Sequence, residues 1–445
     1  MESHAQSVED NLIDSLSFKL RPGASYVTDR RSVSFFPQGG NQYTSNGVKV
    51  CKISLNGDQW LDPSSVKLFY NITNTTQEPI PDGTNPNTHV ASLLQPLVAG
   101  PWGFFRRMRV ICGGQIVEDI DNYNRLHEMV HMMKPSEKRI NDAIEGFGVS
   151  ETSNLTIDSA DSPSPLPKGQ KRTVCFTPLS GLLSQEKFLP IRYCPIQLEF
   201  EIVGSASDAV QGAQSSLGKS ESFLIDDVQL KCDLVQLDNS LDNEYAQHLL
   251  SGKSLPINFS SFTCASQVLT DMNTTVNVQR SFTRMKSVFV SLYNQHKTNP
   301  SNSRKEVNNF WHPMGATAYD HSKEVEFQMQ IGSKLFPEYP IRSLAEAFYQ
   351  LRKTLGINSS NAQMNMVHRY YRDHKFVIGL DTEKLSGASF SGMNTRSGDL
   401  LNLRMKSVRD GEVTLDLANY TYKLFYMLQY DAILQVNDTG VSVLE

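Results

Sequence analysis

Strict alternation of apolar and polar residues is the most frequent pattern along this chain. In residues 196–202, apolar side chains occupy every second position, and Gln or Glu stands between them. Successive side chains of a β-strand point to opposite faces, so this period predicts a strand with one buried face. Leu198 should face the core and Glu199 the solvent, so a new charge should be costly at the first position and tolerated at the second. Residues 228–234 and 401–406 repeat the pattern, which predicts strands in both halves of the chain.

Gly-containing turn dipeptides adjoin several of these runs. They are Asn46-Gly47, Asn56-Gly57 and Asp410-Gly411. Gly readily adopts the positive φ that tight hairpins need. The sheets are therefore predicted to be largely antiparallel, with hairpins at these turns.

A helical period occurs convincingly at only two places. The first segment, Tyr123–Met133, carries one apolar stripe and stops at Pro135. The second begins at Ser343, whose spacing from Glu346 is that of a capping box, and ends near Gly356.

These helices indicate an internal repeat of roughly 200 residues. Each follows a strand and a short Gly-containing connection, with the strands at residues 108–112 and 325–331. The run KCDLVQL at residues 231–237 has a counterpart, QYDAILQV, at residues 429–436. A duplicated β-rich unit with one helix-bearing loop predicts two β-sandwiches side by side.

The repeat divides the chain into four predicted parts. They are an N-terminal arm at residues 1–25, a first domain at 26–240, a linker at 241–255 and a second domain at 256–445. The arm has one short amphipathic turn and is expected to pack on a neighbouring molecule. Within the linker, residues 245–250 form a predicted short helix. Two polar stretches, residues 74–87 and 204–222, are predicted loops on the sandwiches.

Composition and charge narrow the possible functions. The chain has 445 residues, 39% of them hydrophobic and 20% charged, with a formal net charge of −5. This is a globular balance in a chain long enough for two domains, and it does not indicate sequence-specific nucleic-acid binding. Arg106, Arg107 and Arg109 are expected to be solvated or interface charges. No run of 18 apolar residues occurs, so no transmembrane segment is predicted.

The six cysteines lie far apart, and none occurs in a Cys-x-x-Cys motif. They are predicted to be buried free thiols of a protein made in a reducing compartment. The N-terminal residues are polar and lack the apolar core of a signal peptide. Several Asn-x-Ser/Thr sequences are therefore expected to stay unglycosylated, including those at Asn71, Asn74, Asn154, Asn273 and Asn419.

One segment has the spacing of a zinc site. His127, Glu128 and His131 form His-Glu-x-x-His on a predicted helix, where two imidazoles could hold zinc beside a general base. The longer form of this motif needs Gly at position 134 and His at position 137, and the sequence has Lys and Glu there. Glu145 and Glu151, the remaining candidates for a third ligand, follow on no predicted helix. We therefore expect polar flanks of an apolar stripe and no metal.

Other catalytic signatures fail on spacing. Gly212 and Gly218-Lys219-Ser220 are separated by five residues, whereas a phosphate-binding loop needs four, and Gly252-Lys253-Ser254 has Gln247 in place of the first Gly. Residues 387–391 lack the last Gly of a nucleophile elbow. No catalytic, cofactor-binding or metal-binding residue is predicted, no cofactor is expected, and the protein is predicted not to be an enzyme.

Three segments carry a resemblance to a known family. They are FTPLSGLLSQEKFLPIRYCPIQLEFEIV at residues 176–203, IVEDIDNYNRLHEMVHMM at 116–133 and PIRSLAEAFYQLRKTL at 340–355. With these segments and its duplicated C-terminal strands, the chain resembles the major capsid proteins of Polinton-like viruses and virophages. These belong to the double jelly-roll lineage of double-stranded DNA viruses.

The resemblance implies an all-β fold of two tandem eight-stranded jelly rolls with a few short helices in loops. It also implies a virion subunit, assembled inside the host cell, of which three copies form a pseudo-hexameric capsomer that tiles an icosahedral shell. The implied partners are further copies of the chain, a penton protein and minor or cement capsid proteins. The family has no catalytic residues to transfer.

The alternative is a jelly-roll hydrolase or glycan-binding protein with carboxylates along a groove. Asp226 and Asp227 are the acidic pair that would support it. Adjacent residues of a strand point to opposite faces, so this pair is not predicted to act together.

Overall fold

The structure is a computed structural model, and it describes residues 26–85, 87–89, 92–98, 100–148, 163–210, 220–296, 310, 324–356, 366, 371, 375–385, 390–396, 400–408 and 417–445. The predicted N-terminal arm and the turn at Asp410-Gly411 lie outside these residues.

The first half of the chain forms two antiparallel sheets. One sheet has the strand order β1-β9-β4-β7, with the short β2 added to β9, and the other has the order β3-β8-β5-β6. The strands are β1 (Val27–Phe35), β2 (Gln42–Tyr43), β3 (Val50–Leu55), β4 (Trp60–Asn74), β5 (Phe105–Cys112), β6 (Gln115–Ile120), β7 (Lys171–Phe176), β8 (Ile196–Ile202) and β9 (Phe223–Leu237).

The second half forms two further antiparallel sheets. Their strand orders are β10-β17-β12-β15, with β18 added to β17, and β11-β16-β13-β14. The strands are β10 (Leu255–Leu269), β11 (Thr274–Val278), β12 (Met285–His296), β13 (Glu324–Ile331), β14 (Lys334–Ile341), β15 (Ile378–Asp381), β16 (Leu401–Val408), β17 (Tyr420–Asn437) and β18 (Gly440–Leu444).

The two halves have the same topology. Without the short β2 and the terminal β18, the described residues of each half form eight strands, which occupy the same positions in its two four-stranded sheets. Eight antiparallel strands in two packed sheets with Greek-key crossovers form a jelly roll. The predicted fold, two tandem jelly rolls, is confirmed.

One hydrogen bond repeats between the halves at residue level. Ser32 of β1 lies opposite Asp233 of β9, and its hydroxyl donates to the carboxylate at 2.5 Å. Ser260 of β10 lies opposite Asp431 of β17, and its hydroxyl donates at 2.6 Å. β1 and β9 therefore correspond to β10 and β17, and this pair of aspartates lies in the two runs that the sequence matched.

The described residues contain four α-helices. They are α1 (Tyr123–Met132), α2 (Ser136–Glu145), α3 (Asn239–Leu250) and α4 (Leu344–Thr354). Helix α1 follows β6 and helix α4 follows β14, each the fifth of the eight strands of its jelly roll, as the repeat predicts, and the capping box of α4 is formed. Helix α3 covers most of the stretch predicted as a linker. None of these helices is long and apolar enough to span a membrane.

The sequence does not predict helix α2, because Pro135 marks the end of the preceding helix. Pro135 ends α1 and also occupies the N-cap position of α2. The first helical residues have no intrahelical acceptor for their N–H groups, so proline is tolerated at a helix start.

The predicted hairpins at Asn46-Gly47 and Asn56-Gly57 are wrong. Strand β3, which lies between these dipeptides, pairs with β8. In a jelly roll most consecutive strands belong to opposite sheets, so these turns carry the chain between sheets. Tight hairpins occur at Gly113-Gly114, between β5 and β6, and at Gly332-Ser333, between β13 and β14.

Strand β8 matches the predicted residues 196–202, but one face assignment is wrong. Leu198 is fully buried, as predicted. Glu199, predicted to face solvent, is only 8% exposed. It forms ion pairs with Lys52 at 2.9 Å and with Arg109 at 3.4 Å. Long basic side chains from the two neighbouring strands cover this carboxylate, and a single-strand pattern cannot show such neighbours.

The six cysteines are free thiols, and all but Cys175 are buried. Burial raises the pKa of Cys51 to about 11 and that of Cys232 to about 12. Both thiols are therefore protonated at neutral pH.

Candidate functional site

The two jelly rolls meet along a contact that we call the seam. On the first half it consists of β6, Arg125 of α1 and residues 179–187, which follow β7. On the second half it consists of β10 and Tyr293 of β12. Both strands are edge strands of their sheets in the described residues, so the seam joins one sheet edge to another.

Glu118 of β6 lies at the centre of the seam and is almost fully buried. Its carboxylate accepts hydrogen bonds from the Ser261 hydroxyl at 2.6 Å and from the backbone N–H groups of Gly181 at 2.9 Å and Leu182 at 3.3 Å. The Ser180 hydroxyl is a further donor. Burial raises the pKa of Glu118, and these donors oppose the rise only in part. The Glu118 side chain thus joins β6 to residues 180–182 of the first half and to β10 of the second half.

Gly181 allows the halves to approach each other closely. A Cβ atom at this position would overlap the Ser260 carbonyl oxygen and lie 2.6 Å from the carbonyl carbon. The obstacle is backbone of β10, which cannot rotate away as a side chain can. Any other residue at position 181 must therefore push the two halves apart.

Arg125 reaches from α1 into aromatic residues of the second half. Its guanidinium carbon lies 3.7 Å from the Tyr293 ring centroid, 5.6 Å from that of Phe310 and 5.8 Å from that of Phe425. A cation over an aromatic ring is attracted more strongly where water is excluded, and Arg125 is buried. This contact fixes helix α1 against the second jelly roll.

Smaller contacts extend the seam on both sides of Glu118. The Cys264 thiol donates to the Asp121 carbonyl at 2.6 Å, and burial raises the pKa of that thiol. The Lys187 ammonium donates to the Pro256 carbonyl at 3.0 Å. Polar contacts across the seam therefore extend along β10 from Pro256 to Cys264.

The His-Glu-x-x-His segment packs against an indole ring. Trp102 donates its N–H to Glu128 at 2.9 Å, and its ring centroid lies 4.2 Å from that of His127 and 4.5 Å from that of His131. Burial lowers the pKa of His127, so that imidazole is neutral. His131 faces Asp142 of α2 at 3.3 Å. Across the described residues, no cluster of three or more His, Cys, Asp or Glu side chains could hold a metal ion.

The remaining candidates are separated in space and satisfied locally. Glu145 is the last residue of α2, so it does lie on a helix that follows the histidines, contrary to prediction. Its carboxylate pairs with Lys67 and not with the histidines. Arg107 and Asp119 form a two-point ion pair with distances of 2.7 and 2.6 Å. Asp226 pairs with Lys171 at 2.8 Å.

The glycine-rich motifs do not form a phosphate-binding or nucleophile site in the described residues. Gly252 follows α3 in a left-handed conformation with φ of +78°, which makes it part of a helix end. Gly212, Gly218-Lys219 and residues 387–389 lie outside the described residues.

Sequence reasoning missed the seam, although Glu118 carried a signal. It lies two residues from both Ile116 and Ile120, so at the period of a strand an acidic residue takes a position between two apolar ones. Its main partner in the other half, Ser261, is 143 residues away. No local pattern connects the two.

Comparisons with known proteins identify the fold. No protein-family model matches the sequence, and no curated protein matches it. Several solved structures are similar. The Faustovirus major capsid protein has a TM-score of 0.60 at 9% identity, covering 95% of this chain and 92% of that one. The Sputnik virophage structure gives 0.58 at 9% identity, covering 96% and 90%. The PBCV-1 virus capsid gives 0.57 at 11% identity, covering 96% and 99%. The chain therefore has the double jelly-roll fold of these viral capsid proteins.

Proposed function

We propose that this protein is a major capsid protein, a structural subunit and not an enzyme. Three copies form a homotrimer with a pseudo-hexameric outline, and these capsomers tile the icosahedral shell of a double-stranded DNA virus. The protein is then located in the virion, and its partners are further copies of itself, a penton protein and minor or cement proteins.

The observation that carries this proposal is the duplication of one eight-stranded unit across a buried seam. Three chains about a threefold axis present six similar lobes, and a six-lobed tile can meet similar neighbours on every side. Such a tile needs a fixed angle between the two lobes of each chain. The contacts of Glu118, Gly181 and Arg125 provide one.

Residues 26–240 and 256–445 are the two lobes, residues 241–255 connect them, and residues 1–25 form an arm that contacts a neighbour. Arg107 and Arg109 of β5 pair with the carboxylates of Asp119 and Glu199, which supports a role without sequence-specific nucleic-acid binding.

The test is the mass and outline of the purified protein. Light scattering coupled to size exclusion should give about 150 kDa, three times the 49.9 kDa chain. Electron micrographs should show hexagonal outlines. A strictly monomeric protein at high concentration would contradict the proposal and favour the alternative, a jelly-roll hydrolase or glycan-binding protein.

A further inference from the structure

The seam has two sides, and the internal repeat gives each side a counterpart in the other half. The first half contributes β6 and the residues after β7, so the counterparts in the second half are β14 and the residues after β15. The second half contributes β10, so its counterpart in the first half is β1. If both counterparts are exposed, the chain carries an unused copy of its own interface.

The counterpart of the β6 side exposes large apolar side chains. Tyr339 precedes Ile341 by two residues, as Glu118 precedes Ile120, and it is 81% exposed. Leu335 is the second residue after its hairpin, as Ile116 is, and the two side chains are 39% and 54% exposed. Leu385 follows the end of β15 by four residues, as Ser180 follows β7, and it is 67% exposed. We call Leu335, Tyr339 and Leu385 the β14 face.

The counterpart of the β10 side is also exposed. Seven of the nine residues of β1 are exposed, compared with five of the fifteen residues of β10. With Ser32 matched to Ser260, Val33 takes the place of Ser261, and Phe36 takes the place of Cys264. Phe36 is 58% exposed. We call β1 and Phe36 the β1 edge.

The β14 face is suited to side-chain docking. Two of the eight residues of β14, Pro337 and Pro340, have no backbone N–H to donate, which blocks the addition of another strand along this edge. Strand β6 likewise contacts β10 through side chains, and the described residues show no ladder between them. Exposed large apolar side chains at the counterparts of seam positions mark an interaction surface.

We propose that the β14 face of one chain docks on the β1 edge of a second copy, so that the contact between chains repeats the seam within a chain. This inference rests on the proposed function and names the surfaces that build the trimer. The contact is head-to-tail, because the two surfaces differ, and such contacts form a closed ring when the rotation per copy closes. Tyr339 then contacts the partner chain near Val33, where Glu118 contacts Ser261 within one chain.

A charge at the centre of the β14 face tests this contact. Tyr339→Asp should abolish the species of about 150 kDa and leave monomer, because docking would bury an unpaired carboxylate. The matched control is Ile144→Asp. Ile144 is 79% exposed on α2, which packs against β7 at the opposite edge of the sheet from β1. Ile144→Asp should remain a trimer, and the far-ultraviolet circular dichroism spectra of both variants should match that of the unmodified protein, which shows that loss of the trimer in Tyr339→Asp is not loss of the fold.

Disulfide trapping provides the second measurement. A chain carrying Tyr339→Cys and Val33→Cys should give covalent dimers and trimers on a non-reducing gel after mild oxidation. Tyr339→Cys alone should not, and neither should Ile144→Cys combined with Val33→Cys.

The outcomes separate the two proposals. A protein that stays trimeric as Tyr339→Asp and gives no interchain disulfide would overturn the docking surfaces and leave the capsid function intact. A protein that is monomeric without any substitution would overturn both. Two results together would establish the docking. Tyr339→Asp loses the trimer while Ile144→Asp keeps it, and only the chain that carries both Tyr339→Cys and Val33→Cys forms an interchain disulfide.

Discussion

Glu118 and Glu199 show how much a single carboxylate depends on the strands around it. Both lie on strands of the same sheet, and both are almost inaccessible to water. Glu118 is surrounded by neutral donors, so burial dominates and raises its pKa. For Glu199 burial also acts to raise the pKa, but Lys52 and Arg109 outweigh it and the pKa is lowered. The contributions of these two side chains to folding stability therefore change with pH in opposite directions.

The first prediction concerns the pH dependence that Glu118 adds to stability. Because its pKa is raised on folding, the folded protein binds this proton more tightly than the unfolded chain does. The stabilisation is complete below the ordinary carboxyl pKa and is lost as pH rises through the folded pKa. The stability of the unmodified protein relative to Glu118→Gln should thus fall as pH rises, by at most about 1.4 kcal/mol per pH unit. Denaturant unfolding of both proteins between pH 4 and 8 measures this relative stability. The prediction is wrong if the unmodified protein becomes more stable relative to Glu118→Gln as pH rises.

The second prediction reverses the expectation from the alternating pattern at Glu199. Glu199→Lys should destabilise the protein by about 1–3 kcal/mol, because it places a third cation beside two partly exposed ones. Glu201→Lys is the matched control, since Glu201 lies on the same strand but is less buried. Thermal unfolding of the two variants checks this. Equal melting temperatures would mean that solvent screens Glu199 as fully as its neighbour.

At the scale of elements, the sequence predicts those whose signals are local. Helix α4 was predicted with its capping box because Ser343 and Glu346 are three residues apart, and β8 was predicted from seven alternating residues. Helix α2 was not, because few of its residues are apolar and it begins directly after a proline. The strand neighbours of β3 also escaped prediction. In a jelly roll, pairing joins residues far apart in the chain, as Val50 pairs with Glu201.

The third prediction concerns the approach of residues 179–187 to β10. Gly181→Ala should lower stability by about 1–3 kcal/mol, since the new methyl group meets backbone and the two elements must separate. Gly40→Ala is the control, because a Cβ atom there would meet nothing within 4 Å. Calorimetry compares the two. If the two variants have equal melting temperatures, the halves can separate slightly without loss of stability. The seam would then be less tightly packed than the structure indicates.

At the scale of the whole molecule, the seam makes one body of two similar units. The buried apolar residues form a single cluster that runs from the first jelly roll into the second. Two domains joined only by a linker would be expected to move and unfold separately. The duplication was predictable from repeated runs in the sequence, but this coupling was not, because it depends on Glu118 and Arg125 meeting residues more than a hundred positions away.

The fourth prediction follows from this coupling: the two halves should unfold together. A calorimetric scan of the unmodified protein should show one unfolding transition. The van 't Hoff enthalpy of this transition should be close to its calorimetric enthalpy per mole of cooperative unit. Replacing both seam residues, as Glu118→Ala with Arg125→Ala, leaves the halves joined mainly by apolar packing, and the transition should broaden or split into two. The matched control removes a surface ion pair of one half, Lys171→Ala with Asp226→Ala, and should keep a single transition. Two resolved transitions in the unmodified protein would show that the lobes are independent, and a capsomer built from it would then have to fix their angle through contacts between chains.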